Sequence, residues 1–394
     1  MKICIIAPAV IPILIHGQKY GGIETVVSIA SEELVKRGYD VYLFASGDSE
    51  TSAYLVATTP KSLGQGVSFE QEKSCNLKAY EMAVTERPDV IWDHTLAIHA
   101  QKMRKDNSRF LFKADIVLQK KELVDTGDIP IVHTLHGPAK DHLPKLIQDL
   151  AKIGNYFVSI SKDQARSYLK YINIRQHLGT VYNAIDLDFY SVNGNKKSSY
   201  LIWVGRFCME KGPHIALAVA HKVKMPIVFI GKMSETHEIA YFEKFIKPYL
   251  KSQDKFLGVV GADKKTKLLR EAKATMMTNI WAEPFGLVVA ESMASGTPVV
   301  GPALGSLTEL IDHSGVLISV DDLDLDENDT KVTSSQLKYI DRTVSKMNEI
   351  DKIPRTVPRK RAEYLFSSQH NADGYEEAFL KAMYLKKENG KVLF

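Results

Sequence analysis

Apolar positions along this chain fall into two patterns. Short continuous runs alternate with longer stretches in which apolar residues recur every three or four positions. Residues 3–7, ICIIA, form the first run. Between Glu24 and Arg37, Val27, Ala30 and Leu34 share one helical face, and Gly38 marks the stop. VYLFAS (41–46), DVIWDH (89–94), IPIVHTLH (129–136) and NYFVSISK (155–162) are further runs rich in β-branched and aromatic residues. Strands that are apolar on both faces and separated by helices predict a parallel sheet covered on both sides. In such sheets ligands bind at loops beyond the carboxyl ends of the strands.

The alternation restarts near residue 199. YLIWVG (200–205), PIVFIG (226–231), FLGVVG (256–261), KATMMTN (273–279) and PVVGP (298–302) read as strands. Ile215–Val223 and Phe285–Ala294 read as helices, the second ended by Gly296 and Pro298. Residues 179–199 read as a linker, with Asn, Gly, Lys and Ser gathered over 193–199. Residues 321–330 read as a solvated acidic loop, and Arg359–Tyr384 as one or two helices. No solenoid repeat is present. The expectation is α/β, with two similar Rossmann-like domains, 1–193 and 194–372, facing a central cleft.

Composition narrows the class. The chain has 394 residues, 45% hydrophobic and 25% charged, an ordinary globular mix that argues against a disordered tail or a fibre. Net charge is only +4. Nucleic-acid binding calls for a dense basic stripe, which the sequence lacks. Cys4, Cys75 and Cys208 lie far apart and form no CxxC pair, which fits a reducing compartment. Residues 3–15 are apolar, but Pro8 and Pro12 interrupt them and Lys2 alone precedes them. They read as a buried first strand entering a loop, not as a signal peptide. No stretch reaches the roughly 18 apolar residues of a membrane-spanning helix. The expected location is the cytoplasm.

Three segments carry candidate chemistry. In AEPFGLVVAESMASGTPVV (282–300), Glu283 and Glu291 are eight residues apart, and Pro284-Phe285-Gly286 opens a helix between them. A helix N-terminus offers unpaired N–H groups and partial positive charge to a phosphate. A carboxylate further along can accept hydrogen bonds from vicinal hydroxyls such as a ribose diol. The same spacing also fits a capped amphipathic helix with a solvated glutamate. Second, Gly205-Arg206 follows a strand, with Lys211-Gly212 five residues on. Arg forks onto phosphate and Lys acts as a point charge, though two cations in a surface turn would look alike. Third, Gly21-Gly22-Ile23-Glu24 precedes the first helix and resembles a phosphate-approach loop. A bare glycine pair is weak evidence.

In this order and spacing, the three segments resemble the retaining glycosyltransferases of the GT-B fold, the group typified by glycosyltransferase family four (glycosyl transferases group one). E-x-F-G-x-x-x-x-E is matched by Glu283 through Glu291. A-x-G-x-P-V-V is matched by Ala294 to Val300, G-R-x-x-x-x-K-G by Gly205 to Gly212, and G-G-x-E by Gly21 to Glu24. Softer matches are LHG (135–137), SISKDQARSYL (159–169) and YNAID (182–186). The resemblance runs to about residue 320. Departures are Ala184 for a usual glycine, Ser306 for the second glycine of a G-G-x-x-E segment, and Ser292 for a usual alanine. None removes a charge.

The resemblance implies a hexosyltransferase moving sugar from a nucleoside-diphosphate sugar, UDP first and GDP next, to an acceptor hydroxyl of a glycan, lipid or small molecule. Arg206 and Lys211 would hold the diphosphate in place of a metal, so neither a divalent ion nor a cofactor is implied. Gly205 belongs to the same turn. Amides around Phe285, Gly286, Leu287 and Val288 would meet the distal phosphate and sugar. Glu283 would bond sugar hydroxyls, Glu291 the ribose, and Val260 with Gly261 the base. Gly21 and Gly22 would approach phosphate from the opposite domain, with cleft closure, and His136 would face the anomeric carbon. The helix over 373–394 would pack back on the N-terminal domain. A lipid acceptor would add peripheral contact at the inner membrane face, since lipid-modifying relatives dock by basic first-domain helices. Loops 47–80 and 101–128, with Lys61, Lys73, Lys78, Lys102, Lys105, Lys120 and Lys121, would meet the acceptor, although such charges are usually solvated.

Other signals weigh less. His94, His99, His133 and His136 lie in one domain, but positions i and i+3 of a strand face opposite ways and no cysteine completes a zinc site. His133 reads as a buried, satisfied histidine. The DxD patterns at Asp186–Asp188 and within 322–326 belong to the linker and the acidic loop. GxGxxG is absent, which disfavours dinucleotide redox chemistry. Two other readings are a nucleotide-sugar-binding protein of this fold without transfer, against which four intact charges argue, and a nucleotide-sugar epimerase, which would consume no acceptor. A sugar phosphorylase would need a far longer chain.

Overall fold

The structure is a computed structural model that describes residues 1–15, 21–64, 66–96, 127–140, 143–192, 199–323 and 332–391. The chain divides into two compact units. Met1–Ala184 with Ser368–Phe394 make the first, and Ile185–Ser367 the second.

The first unit holds a parallel sheet. Its strands are β1 (Lys2–Ile6), β2 (Asp40–Ser46), β3 (Tyr54–Thr59), β4 (Val90–Asp93), β5 (Ile131–Leu135), β6 (Tyr156–Ser159) and β7 (His177–Thr180). Their order is β3-β2-β1-β4-β5-β6-β7. β1 and β4–β6 are buried almost throughout, which is why they read as unbroken apolar runs. The helices are α1 (Gly22–Lys36), α2 (Phe69–Thr85), α3 (Leu143–Lys152) and α4 (Lys162–Tyr168). Val27, Ala30 and Leu34 of α1 enter the core, as their spacing requires.

The second unit repeats the plan. Strands β8 (Leu201–Val204), β9 (Ile227–Ile230), β10 (Lys255–Phe256), β11 (Ala274–Met276), β12 (Val299–Pro302) and β13 (Val316–Ile318) pair in parallel in the order β10-β9-β8-β11-β12-β13. Its helices are α5 (Pro213–Lys222), α6 (Thr236–Phe245), α7 (Ala262–Glu271), α8 (Leu287–Ala294), α9 (Leu307–Ile311), α10 (Ser334–Lys346) and α11 (Thr356–Leu365).

The last helix, α12 (Ser368–Lys391), returns to the first unit. Ala372, Tyr375, Ala378, Phe379 and Ala382 recur at helical spacing and join the core around β1 and β4. The Tyr375 ring lies 4.1 Å from Trp92, and its hydroxyl is 2.9 Å from Thr134 Oγ1. At Gly374 a Cβ would stand 2.8 Å from Val181, so the close approach requires glycine.

Three expectations change. The units part at Ala184, earlier than residue 193, because 185–192 bonds into the second unit. Ile185 N donates to Phe366 O, and Arg359 donates to the carbonyls of Leu187 and Tyr190. Residues 47–80 are not loop throughout: they contain β3 and most of α2, which starts at a capping box of Ser68 and Gln71. FLGVVG forms strand only at Phe256, since Gly258 turns the chain with φ 62° and its carbonyl accepts from Gly231 N. Residues 193–198, 324–330, His99, Lys102, Lys105, Lys120 and Lys121 lie outside the described residues.

Candidate active site

In the second unit, β8 delivers Gly205 and Arg206 at its carboxyl end. Gly205 N donates to Ile230 O at 3.0 Å, which ties the turn to β9. Arg206 is 42% exposed and reaches Glu210 at 2.7 Å and Glu238 at 3.9 Å. A short turn, Met209–Lys211, then leads to Gly212 at φ 62°, where a Cβ would stand 2.1 Å from Thr278 O. Only glycine permits both that dihedral and that approach. The approach brings Lys211 against the loop after β11. Its Nζ donates to Glu283 Oε2 at 2.6 Å and stands 4.6 Å from the centre of the Trp281 ring.

Glu283 begins the segment that leads into α8. Gly286 precedes that helix with φ 86°, and Phe285 is buried edge-on against Phe366 at 5.7 Å. Leu287 and Val288 open the helix, so their amides have no partner one turn back within it. The segment is braced from behind. Ser306 N donates to Glu283 O at 3.1 Å, and its hydroxyl to Phe285 O at 2.8 Å. Gly305 has φ 60°, with Glu283 N 2.8 Å from where a Cβ would be. Ser306 therefore supplies a hydrogen bond that the usual glycine could not. Ser292 is likewise satisfied inside, between Thr275 and Thr297.

Glu291 lies on α8 and is buried. Lys265 of α7 donates to its Oε1 at 2.6 Å. Oε2 is also buried. Burial first, then the charge of Glu291 and its hydrogen bond with the phenol, raises the Tyr190 phenol well above its ordinary pKa. Val260 is half-buried, and Gly261 after it caps α7.

Gly21, Gly22 and His136 belong to the first unit. Gly21 has φ 116° and caps α1; its carbonyl accepts from Thr25 Oγ1 at 2.8 Å. Burial pushes the Glu24 carboxyl up to about 7. His136 follows β5, and its Nε2 is 2.9 Å from His94 Nδ1. Burial lowers the His136 pKa to about 4 and that of His94 well below the ordinary value, so both are neutral at pH 7. Gln164 of α4 donates to the carbonyls of Leu135 and Gly137, and the Tyr168 hydroxyl to those of Gly137 and Pro138. The LHG and SISKDQARSYL segments are thus one structure, helix side chains fixing the turn that carries His136. His133 is buried, its Nδ1 2.7 Å from Asp93 and its Nε2 2.9 Å from Asn155 Oδ1. Burial pushes the Asp93 carboxyl up, but His133 and Thr95 outweigh it and hold it well below the usual range.

Lys211 meets Glu283 directly, whereas Arg206 pairs with Glu210. Lys265, Trp281 and the bracing role of Ser306 were not legible: no local motif links a lysine on one helix to a glutamate 26 positions on. Asp186 accepts from the amides of Asp188 and Phe189, an ordinary turn. Among the described residues no three His, Cys, Asp or Glu side chains could hold a metal ion together. No described helix is long and apolar enough to cross a membrane.

Two parallel-sheet α/β units, with glycine-rich turns and helix N-termini at the carboxyl ends of their strands, define the GT-B class. The model of "Glycosyl transferases group 1" matches residues 185–327, and that of "Glycosyltransferase Family 4" matches residues 20–189. An uncharacterized glycosyltransferase of Methanocaldococcus jannaschii is 30% identical over 129 residues, 31% of this chain and 32% of that protein. The matched stretch is thus about a third of that relative's length. The O-antigen chain mannosyltransferase C of Escherichia coli is 22% identical over 90% of this chain and 93% of its own. Among solved structures, Anabaena HepE in complex with UDP and glucose aligns with a TM-score of 0.66 at 16% identity, over 96% of this chain and 98% of that one. This chain belongs to the GT-B glycosyltransferases of the group 1 and family 4 kind.

Proposed function

We propose that the chain moves a hexosyl group from a nucleoside-diphosphate sugar, UDP-linked first, to an acceptor hydroxyl, with the anomeric configuration retained and no divalent metal. The observation that carries this reading is the cluster in the second unit. Arg206, Lys211, Glu283 and the N-terminus of α8 lie on the loops that follow β8 and β11. When the bond from the anomeric carbon to the diphosphate oxygen breaks, the diphosphate gains negative charge. Arg206, Lys211 and the first-turn amides of α8 stabilise that charge from fixed positions. The acceptor oxygen bonds to the anomeric carbon from the face the diphosphate leaves, and its proton passes to a phosphate oxygen. Glu283, held through Oε2 by Lys211, accepts hydroxyls of the sugar and is not required as a nucleophile. His136 is neutral, which suits a side chain that would face developing positive charge. The UDP and glucose in the HepE complex favour a uridine donor and a hexose. A glycan, a lipid presented at a membrane surface, or a small alcohol would serve as acceptor.

The test is a panel of UDP-, GDP-, ADP- and dTDP-sugars without acceptor, with Arg206→Ala alongside. One donor should release nucleotide slowly. Arg206→Ala should lower that rate by about 10²–10³ at a stability cost of about 1 kcal/mol, because the side chain is partly exposed and paired with Glu210. If calorimetry detects no nucleotide binding from the whole panel, the reading is wrong.

A further inference from the structure

Lys211 carries a compact charge on a flexible four-carbon stem, so its usefulness depends on what fixes the direction of its donors. Two groups do so. Nζ donates to Glu283 Oε2 at 2.6 Å and stands 4.6 Å from the centre of the Trp281 ring. The backbone that carries the ring is itself fastened to the turn that carries the lysine. Ile280 N donates to Glu210 O at 2.9 Å, and Thr278 Oγ1 to Gly212 O at 2.7 Å, one residue to either side of Lys211. Buried Asn279 then donates through Nδ2 to Trp281 O at 2.7 Å.

Trp281 uses its face and not its N–H. Nε1 is buried and has no hydrogen-bond partner among the described residues. An unpaired buried donor is destabilising, so stability alone favours phenylalanine at this position. What indole adds is the aromatic face best suited to a cation. An ammonium has three donors. With one committed to Glu283 and the head lying over the ring, the others have a restricted range of directions. We propose that Trp281 is a positioning residue whose ring, with Glu283, aims Lys211 Nζ at the diphosphate, so that the ammonium meets the charge growing on the leaving oxygen without first reorienting. This rests on the reading of the second unit as a nucleotide-sugar site.

The experiment is a double-mutant cycle on donor hydrolysis by the full chain, with the donor the wild type prefers. Trp281→Leu should lower kcat about five- to thirtyfold, the worth of a partly desolvated cation–π contact, and change the donor KM by less than about threefold. Trp281→Phe, which keeps a π face, should stay within about threefold of the wild-type kcat. In a Lys211→Met background, Trp281→Leu should cost less than about twofold, because the ring then has no cation to aim. A ring that merely filled space would cost the same factor in both backgrounds. Trp281→Met replaces the leucine variant if that one melts early. Equal losses in the two backgrounds would overturn the inference, as would an unchanged kcat in Trp281→Leu and Trp281→Met, or a loss in Trp281→Phe as large as in Trp281→Leu. In these cases the nucleotide site itself stands. No binding by any nucleotide removes the proposed function, and the inference with it.

Discussion

Lys211→Met separates what the Lys211–Glu283 pair does for the fold from what it does for turnover. Nζ and Oε2 are 2.6 Å apart, and the two side chains are only 20% and 12% exposed. Methionine keeps the apolar stem but leaves Glu283 without its countercharge. Orphaning one member of a fully buried pair costs about 3–5 kcal/mol. This pair retains some solvent, so about 2–3 kcal/mol is the expectation, with about 0.5–1 kcal/mol more from the lost cation–π contact with Trp281. Lys211→Met/Glu283→Gln removes both charges and should recover most of that loss, giving a coupling of about 2 kcal/mol. Turnover should behave differently. The single variant should lose about 10²–10³ in rate through the lost stabilisation of the leaving diphosphate, and the double variant should not regain it. Urea unfolding of the four proteins, followed by tryptophan fluorescence, gives the coupling, and donor hydrolysis gives the rates. A coupling below about 0.5 kcal/mol would show that the pair is not a structural ion pair. A double variant with restored turnover would refute the assignment of Lys211 to the diphosphate.

Gly212→Ala should destabilise by about 3 kcal/mol or more, combining a left-handed dihedral with a methyl forced 2.1 Å from Thr278 O; a shift of the urea midpoint at unchanged slope reads this, and a neutral result would mean that the turn has slack. Stability should also fall as pH falls from about 6.5 to about 4. Burial holds His136, His177 and His214 near 4, so over that window the unfolded chain binds protons that the native chain does not. Each group can contribute up to about 3 kcal/mol, and urea midpoints that stay flat between pH 7 and pH 5 would contradict the burial of these rings.

The parallel strands were legible because a strand buried on both faces must be apolar at every position, as β1, β4 and β9 are. The glycines were legible for a related reason: Gly212 and Gly286 stand where only glycine fits. α2 was missed. Few of its residues are buried and apolar, Ala79, Tyr80 and Ala83 among them, so its period is faint. The cue was at its start, in the reciprocal bonds of Ser68 and Gln71. FLGVVG was overread, because hydrophobicity alone does not reveal that Gly258 turns away from the sheet. Of the site, the charges that follow strands were readable, while their partners were not. Lys265 and Ser306 act through contacts made only when distant helices and loops pack, and their local sequence carries no trace of it.

The return of α12 to the first unit has a consequence for how the protein is made. Five of that unit's core side chains, Ala372 through Ala382, are translated only after the entire second unit. At about 5–20 residues per second, the first sheet waits roughly 10–40 s on the ribosome with the Trp92 side of its core uncovered. The second unit, one continuous segment, meets no such delay and can complete itself first. A premature stop just after residue 367 would therefore spare the unit it touches in sequence and cripple the one made earliest.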